Sequence, residues 1–181
     1  IKSLMNIFEN RVFSFLALRF LLAAVILLPV CAVKKISLKK FLNLKLMLLS
    51  LLLPFLNLTF QTFGVKLSSV TSVGYISSLG PVITLAVSAV VLKTKPIARQ
   101  IFAITAAFAG AALIYFGKNA EVRLDMGALL IFAALLFRSL YAALSRTPAE
   151  SCTPLELTAV QIFWGLVFFA AAFVWENRGL S

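Results

Sequence analysis

Long apolar runs separated by short polar connections make up most of the chain. The most informative run is Val70–Leu92, which has no charged residue over about 23 positions, enough for a helix to cross the ~30 Å hydrocarbon core of a bilayer. Within it, Thr71, Tyr75 and Ser78 recur at helical spacing and give its first half a polar stripe on one side. An ordinary membrane anchor has no such stripe, so this helix is expected inside a bundle.

The same helix is interrupted near its middle by Gly80 and Pro81. Proline has no backbone N–H, and such a break is tolerated in a membrane where neighbouring helices, Ser or Thr hydroxyls or water bond the carbonyls that it leaves open. A packing kink in a buried helix and a helix that lines a cavity both explain the break, and both interpretations stay open at this point.

The pattern predicts an all-α fold, a polytopic membrane helix bundle with about six spanning helices. Local signals support two of the helix starts: Ser68 or Ser69 can cap the third span, and Thr153-Pro154-Leu155-Glu156 is a capping box that begins the sixth. We predict spans at Val12–Val33, Leu46–Phe63, Val70–Leu92, Ile97–Phe116, Met126–Ser145 and Leu155–Trp175.

Composition and charge agree with a membrane protein, since 62% of the residues are hydrophobic and the mean hydropathy is +1.04. The formal net charge is +11, but the cations stand in short runs between the spans, the densest between Lys34 and Lys45. Because Lys and Arg accumulate in cytoplasmic loops, we place the Lys34–Lys45 loop in the cytoplasm and both chain ends on the opposite side. The lipid bilayer is the expected partner, and no nucleic acid is expected.

Side chains that carry metal or acid–base chemistry are scarce. The chain has no His, and Cys31 and Cys152 form no ligand pattern, so no metal site and no cofactor are predicted. Apart from Glu156 at the capped start of the sixth, the predicted spans contain no Asp, Glu or His, which disfavours a membrane-embedded enzyme, and we predict no catalytic residue. The capping box accounts for Glu156.

A weak internal similarity links the first and sixth spans, where Ala17–Ala23 aligns with Ala159–Gly165 and places Arg19 opposite Gln161. If the similarity is a repeat, the repeat holds five helices, and an odd number of spans inverts the second copy in the membrane. We therefore expect Arg19 and Gln161 at positions related by inversion.

The succession of motifs resembles the EamA family of the drug/metabolite transporter superfamily over nearly the whole chain. No single motif is highly specific; the order and spacing carry the resemblance. The segments concerned are RFLLAAVILLP (Arg19–Pro29), GYISSLGPVITLAVSAVVL (Gly74–Leu92), RQIFAITAAFAGAALI (Arg99–Ile114), GALLIFAALLFRSLYAALSR (Gly127–Arg146) and TPLELTAVQIFWG (Thr153–Gly165).

Members of that family have ten helices in two inverted repeats of five, with both termini in the cytoplasm. The resemblance implies that this chain covers helices two to seven: residues 1–125 would be a first repeat without its first helix, and residues 126–181 the first two helices of a second repeat. It further implies one membrane domain, cut at both ends, in a bacterial inner membrane. The implied function is secondary transport, as an exporter, of a small polar metabolite or an amino-acid-like or drug-like compound by alternating access.

Three departures from the family pattern stand out. Lys93-Thr94 follow the helix that contains the proline, where Gly-Glu is usual, so any role of that Glu is in doubt here. Phe137 stands where a Trp is common, and Arg138 where a small residue is usual. Arg138 suggests a substrate class that the family average does not identify.

The polar residues within the predicted spans are the candidates for lining a substrate cavity. The alternative for the Asn, Gln and Tyr residues is hydrogen bonding that only holds the bundle together, and for Arg19 it is snorkelling of the side chain to the membrane surface. A non-transporting membrane subunit and an inactive, truncated transporter are the alternative functions. The candidates are Arg19, Asn57, Gln61, Tyr75, Ser78, Arg138, Tyr141 and Gln161, with the helix break at Gly80 and Pro81.

Arg138 is the most specific of these candidates. An unpaired guanidinium in a bilayer costs about 2.5–3.5 kcal/mol on insertion scales, so Arg138 should face the bundle or water, on one polar stripe with Tyr141 and Ser145. Because guanidinium groups bind carboxylate or phosphate in a planar, bidentate way, we hypothesise an anionic or zwitterionic substrate.

Span four is rich in small residues that permit close contact between helices. Packing within the chain is favoured over a dimer face, and a homodimer stays an open alternative. The small residues are Ala103, Ala106, Ala107, Gly110 and Ala111.

We predict that Cys31 and Cys152 both lie on the cytoplasmic side, reduced and not bonded to each other, because they flank cytoplasmic connections in the predicted topology. Labelling of intact cells with a membrane-impermeant thiol reagent tests this for each single-cysteine variant. Rapid labelling of either variant from outside would overturn the topology.

Overall fold

A computed structural model describes residues 12–34, 41–93, 97–116, 125–146 and 152–178, and these residues form helices and no strand. The predicted entry segment Ile1–Arg11, residues 35–40 of the lysine-rich loop, residues 94–96 and residues 117–124 lie outside this part of the chain. The helices are α1 (Val12–Val33), α2 (Leu44–Leu67), α3 (Val70–Ser78), α4 (Gly80–Leu92), α5 (Ala98–Phe116), α6 (Met126–Leu144) and α7 (Pro154–Arg178).

The all-α polytopic prediction is confirmed, since the described residues contain five helical segments long and apolar enough to cross a membrane. The fourth predicted span also forms a helix, α5, which is not among the five. The helix ends in the structure differ from the predicted ends by a few residues. Helices α2 and α7 are longer than predicted, and Ser145 lies just beyond the end of α6. The five are Val12–Cys31, Leu44–Leu67, Val70–Leu92, Met126–Leu144 and Pro154–Asn177.

The helix starts follow the sequence signals. The Ser69 hydroxyl accepts the Ser72 N–H at 3.1 Å, so Ser69, rather than Ser68, caps α3. The capping box is present as well: Glu156 accepts the Thr153 N–H at 2.8 Å, and Thr153 accepts the Glu156 N–H at 3.4 Å. These contacts confirm a structural role for Glu156.

Helix α2 changes its winding in the middle of the membrane. Its central segment Leu51–Asn57 is a π-helix that contains Pro54, between α-helical segments Leu44–Ser50 and Leu58–Leu67. Proline donates no hydrogen bond to the preceding turn, and wider π turns are one way in which a helix accommodates such a loss. Asn57, a candidate lining residue, is the last residue of this segment and is 6% exposed.

The predicted break in the third span is also present, at Leu79 between α3 and α4. The Leu79 N–H bonds the Ile76 carbonyl at 3.0 Å, one residue closer than the regular α-helical partner, Tyr75. The Ser78 hydroxyl donates to the Tyr75 carbonyl at 2.6 Å instead. A side-chain hydroxyl therefore bonds a carbonyl that the break leaves open.

Contacts divide the described residues into two units, one holding the residues up to Thr59 with those from Leu144 onward, and the other holding Phe60–Ala143. The units are defined by packing, whereas the repeats expected at residues 1–125 and 126–181 are defined by sequence; the repeats stay a prediction.

In the first unit, α1 runs antiparallel to α7, whereas the beginning of α2 runs parallel to α7. Residues 14 and 20 of α1 contact residues 176 and 169 of α7, whereas residues 41 and 55 contact residues 164 and 168. The Trp164 Nε1–H donates to the Phe41 carbonyl at 2.7 Å, which fixes one end of this arrangement.

In the second unit, α6 is antiparallel to the end of α2 and parallel to α3 and α4. Gly64 and Gly127 pack backbone to backbone, because a Cβ on Gly127 would lie 2.7 Å from the Gly64 carbonyl oxygen and 2.7 Å from the Ser68 nitrogen. Ile76, Ala128, Ile131 and Leu135 form the buried core beside this crossing. The two glycines thus allow α2 to approach α6 closely.

Gly127→Ala should lower the stability of the full-length protein by about 1–3 kcal/mol, because the added methyl group overlaps backbone atoms that cannot move independently. Thermal unfolding in detergent measures the effect. Gly74→Ala is the matched control: no atom lies within 4 Å of a Cβ at Gly74, so it should be neutral or raise stability by up to about 1 kcal/mol through helix propensity. Equal unfolding temperatures for the two variants would contradict the close crossing.

Candidate functional site

Helix α6 has two distinct faces in the structure. Its inner face is defined by Ile131, Leu135, Arg138 and Ala142, which are spaced so that they lie on one side of the helix. The opposite, outer face contains exposed apolar side chains at the same spacing: Leu129, Phe132 and Leu136, exposed by 60%, 42% and 40%. An exposed apolar face is the surface that suits lipid or an apolar neighbour.

The inner face changes from buried to exposed along its length. Ile131 and Leu135 are 2% and 8% exposed, whereas Arg138 and Ala142, one and two turns further on, are exposed. Ile131 packs against Gly64, and Leu135 packs against Gly80. Arg138 is therefore exposed one turn beyond the buried Leu135, on the side of α6 that faces away from its exposed apolar residues, whereas the neighbouring Ser139 is buried.

A hydrogen bond between two helices lies directly beside Arg138. Thr84 of α4 and Ser139 of α6 share a hydrogen bond of 2.9 Å between their hydroxyl oxygens, and Ser139 is 1% exposed. Helix α4 buries no residue, so this bond and the contact of Gly80 with Leu135 are specific links between α4 and α6. Helix α6 is in this way fixed to the segment that follows the helix break.

Thr84 and Ser139 were not among the residues selected from the sequence. A hydroxyl in a membrane helix commonly bonds a carbonyl of its own helix, as Ser50 does with Leu46 at 2.9 Å. The pairing of Thr84 with Ser139 spans 55 positions in sequence, and periodicity along one helix contains no signal for it.

Arg19 is placed differently from Arg138. It is exposed, and it shares its face of α1 with Leu22 and Ile26, which are 57% and 73% exposed. A long side chain among exposed apolar residues is the setting in which an arginine extends to the membrane surface. This setting suits the alternative interpretation for Arg19, and its role in a cavity stays a prediction.

The other candidates are distributed over both units. The Ser78 hydroxyl bonds the Tyr75 backbone carbonyl within α3, just before the helix break, and Tyr141 lies one turn from Arg138 on α6. Gln61 is half-buried on α2, and Pro81 is exposed at the start of α4. Asn57, Tyr75, Tyr141 and Gln161 all interact with neighbouring groups, which suits interhelical bonding as well as cavity lining.

One departure from the family pattern has a backbone explanation. Lys93, at the position where Gly is usual, ends α4 in the left-handed conformation, with φ 52° and ψ 31°. Glycine adopts this conformation without a steric penalty, which explains its use after a helix; lysine accepts some strain. At Phe137, where Trp is usual, the ring packs edge-on against Phe60 with centroids 5.2 Å apart.

No group of three or more His, Cys, Asp or Glu side chains that could hold a metal ion occurs in the ranges that the structure describes. Cys31 and Cys152 are not bonded to each other. Apolar spanning helices and a broken third span together define a multi-pass membrane protein.

Comparison with known proteins specifies the class further. The family model described as the EamA-like transporter family matches residues 4–116, which is more than half of the chain. The chain belongs to the EamA-like transporter family. It is also similar to the Uncharacterized transporter YcxC of Bacillus subtilis (strain 168), with 31% identity over 120 residues, 65% of this chain and 38% of that protein. The chain thus spans well under half the length of this relative. No solved structure matches the chain.

Proposed function

We propose that this chain is part of a secondary transporter, an exporter that moves a small polar metabolite across a bacterial inner membrane by alternating access. Membership of a transporter family and the relative's name support transport in general. The proposal includes the Lys34–Lys45 loop in the cytoplasm, the two inverted repeats and no chemical step on the substrate. A homodimer of the complete protein is the alternative to packing of the small residues of the fourth span within the chain.

The observation that carries the proposal is the position of Arg138. An arginine about two-thirds of the way along a spanning helix is costly against lipid, and this one is exposed on the same side of α6 as the buried Ile131 and Leu135. Intramembrane cations of this kind mark substrate pathways. We therefore assign Arg138 to binding the substrate.

The chemistry of the guanidinium limits the substrate class. It is planar, always charged and has five N–H donors, so it binds a carboxylate or phosphate through two parallel hydrogen bonds. Amino-acid-like and other anionic or zwitterionic metabolites fit this requirement. The half-buried Tyr141, one turn away on α6, provides a hydroxyl and an aromatic surface on the same side.

Arg138→Ala in the full-length protein should reduce transport about tenfold or more, since a hydrogen bond to a charged group contributes about 1.5–3 kcal/mol. Arg138→Lys should reduce it less, because the charge stays and the bidentate geometry is lost. Uptake of radiolabelled amino acids and of their decarboxylated amines into inverted vesicles is the measurement; removal of the substrate carboxylate should weaken transport as removal of the arginine does.

The control is Arg146→Ala, which removes an exposed arginine beyond the end of α6 and should transport like the wild type. All variants must be present in the membrane in equal amounts. Unchanged transport in Arg138→Ala would eliminate the assigned role. Absence of transport by the wild type for every probe would favour the non-transporting or inactive alternative.

A further inference from the structure

A carboxylate joins the beginning of α1 to the end of α7. Glu176 accepts two hydrogen bonds through Oε2, one from the Ser14 N–H at 3.1 Å and one from the Ser14 hydroxyl at 3.1 Å. The two residues are 162 positions apart, and both are partly buried. Glu176 was expected in a connection, since the sixth span was predicted to end at Trp175; it lies within the described span Pro154–Asn177 instead.

The charge of the Glu176 carboxylate strengthens its hydrogen bonds with Ser14. Ser14 donates both its backbone N–H and its hydroxyl to this one carboxylate. Because hydrogen bonds to a charged acceptor are stronger than bonds between neutral groups, separation of the helices costs more than two neutral hydrogen bonds.

Deeper in the same helix pair, the contact is a close aromatic packing. The Phe20 ring occupies the space beside Gly165, because a Cβ there would lie 2.7 Å from Phe20 Cδ1, and its centroid lies 5.0 Å from that of Phe169. Phe169 is fully buried. The pair therefore has an apolar contact at mid-helix and a charged contact at one end.

We propose that Ser14 and Glu176 form a latch that holds one end of the transport pathway closed. The inference rests on the proposed function, in which α1 belongs to the first repeat and α7 to the second. Alternating access rocks one repeat against the other around the substrate site, so a contact that joins the repeats at one membrane end must break when that end opens. The packing of Phe20 against Gly165 is the pivot of this movement.

The latch predicts an accessibility change that can be measured without a known substrate. A cysteine replaces the half-buried Ala172, one turn deeper than Glu176 on the same face of α7, in the full-length protein with Cys31→Ser and Cys152→Ser. Labelling by a membrane-impermeant maleimide is followed from each side of the membrane. Glu176→Gln should raise the labelling rate from the Ser14 side about tenfold, since hydrogen bonds to a charged acceptor contribute more than neutral ones.

Matched variants separate the latch from a general loss of structure. Glu156→Gln, at the other end of α7, alters a carboxylate that accepts the Thr153 N–H of the capping box, and it should leave the labelling rate unchanged. Ser14→Ala removes the hydroxyl and keeps the N–H, so it should raise the rate by less than Glu176→Gln. An unchanged rate in Glu176→Gln, or an equal rise in Glu156→Gln, would overturn the latch.

The same preparations distinguish failure of the latch from failure of the proposed function. If the wild type transports radiolabelled amino acids and Glu176→Gln leaves labelling unchanged, the latch is wrong and the transporter stands. If labelling rises as expected but the wild type moves none of the probes, the contact closes this end and the assigned transport is wrong. Where Glu176→Gln does not fold, Glu176→Asp, which shortens the side chain, provides the same comparison.

Discussion

The absence of water in the bilayer core is the constraint on which this structure depends, because every polar group there needs a partner within the protein. The Ser78 hydroxyl bonds a carbonyl left open by the helix break, and the Trp164 indole N–H bonds the Phe41 carbonyl just before α2. Arg138 differs from these groups, since it is exposed although it lies on the same side of α6 as the buried Ile131 and Leu135. An exposed arginine within a spanning helix is a candidate for function.

Close packing provides the framework for that arginine. The glycines Gly64 and Gly127 bring α2 against α6 and cover the first half of its inner face, including Ile131. Beyond Gly80, α4 buries none of its own residues, but it contacts α6 through Ile83, which packs against the buried core, and through the hydrogen bond of Thr84. At this level of α6, Ser139 and Ala143 stay buried and Arg138 is exposed.

The sequence was sufficient to predict the helices and many of their ends. Apolar length is read from one continuous segment, and the Ser69 cap and the Thr153–Glu156 box each join residues three positions apart. It was insufficient for contacts between helices. Both Arg19 and Arg138 were candidates from the sequence, although they differ in what shares their helical faces. The hydrogen bonds from Ser14 to Glu176 join residues 162 positions apart. Such contacts depend on how helices pack against one another, and the periodicity of a single helix contains no signal for that packing.

The central claim is that the inner face of α6 opens to water beside Arg138 while its outer face does not. Cysteine labelling tests this most directly, because thiols react with a charged maleimide only as hydrated thiolates. In the full-length protein without native cysteines, Ala142→Cys should be labelled rapidly. Leu136→Cys and Leu144→Cys, which lie on the outer face on either side of Ala142 along the helix, should be labelled slowly. Faster labelling at Leu136 and Leu144 than at Ala142 would contradict the account.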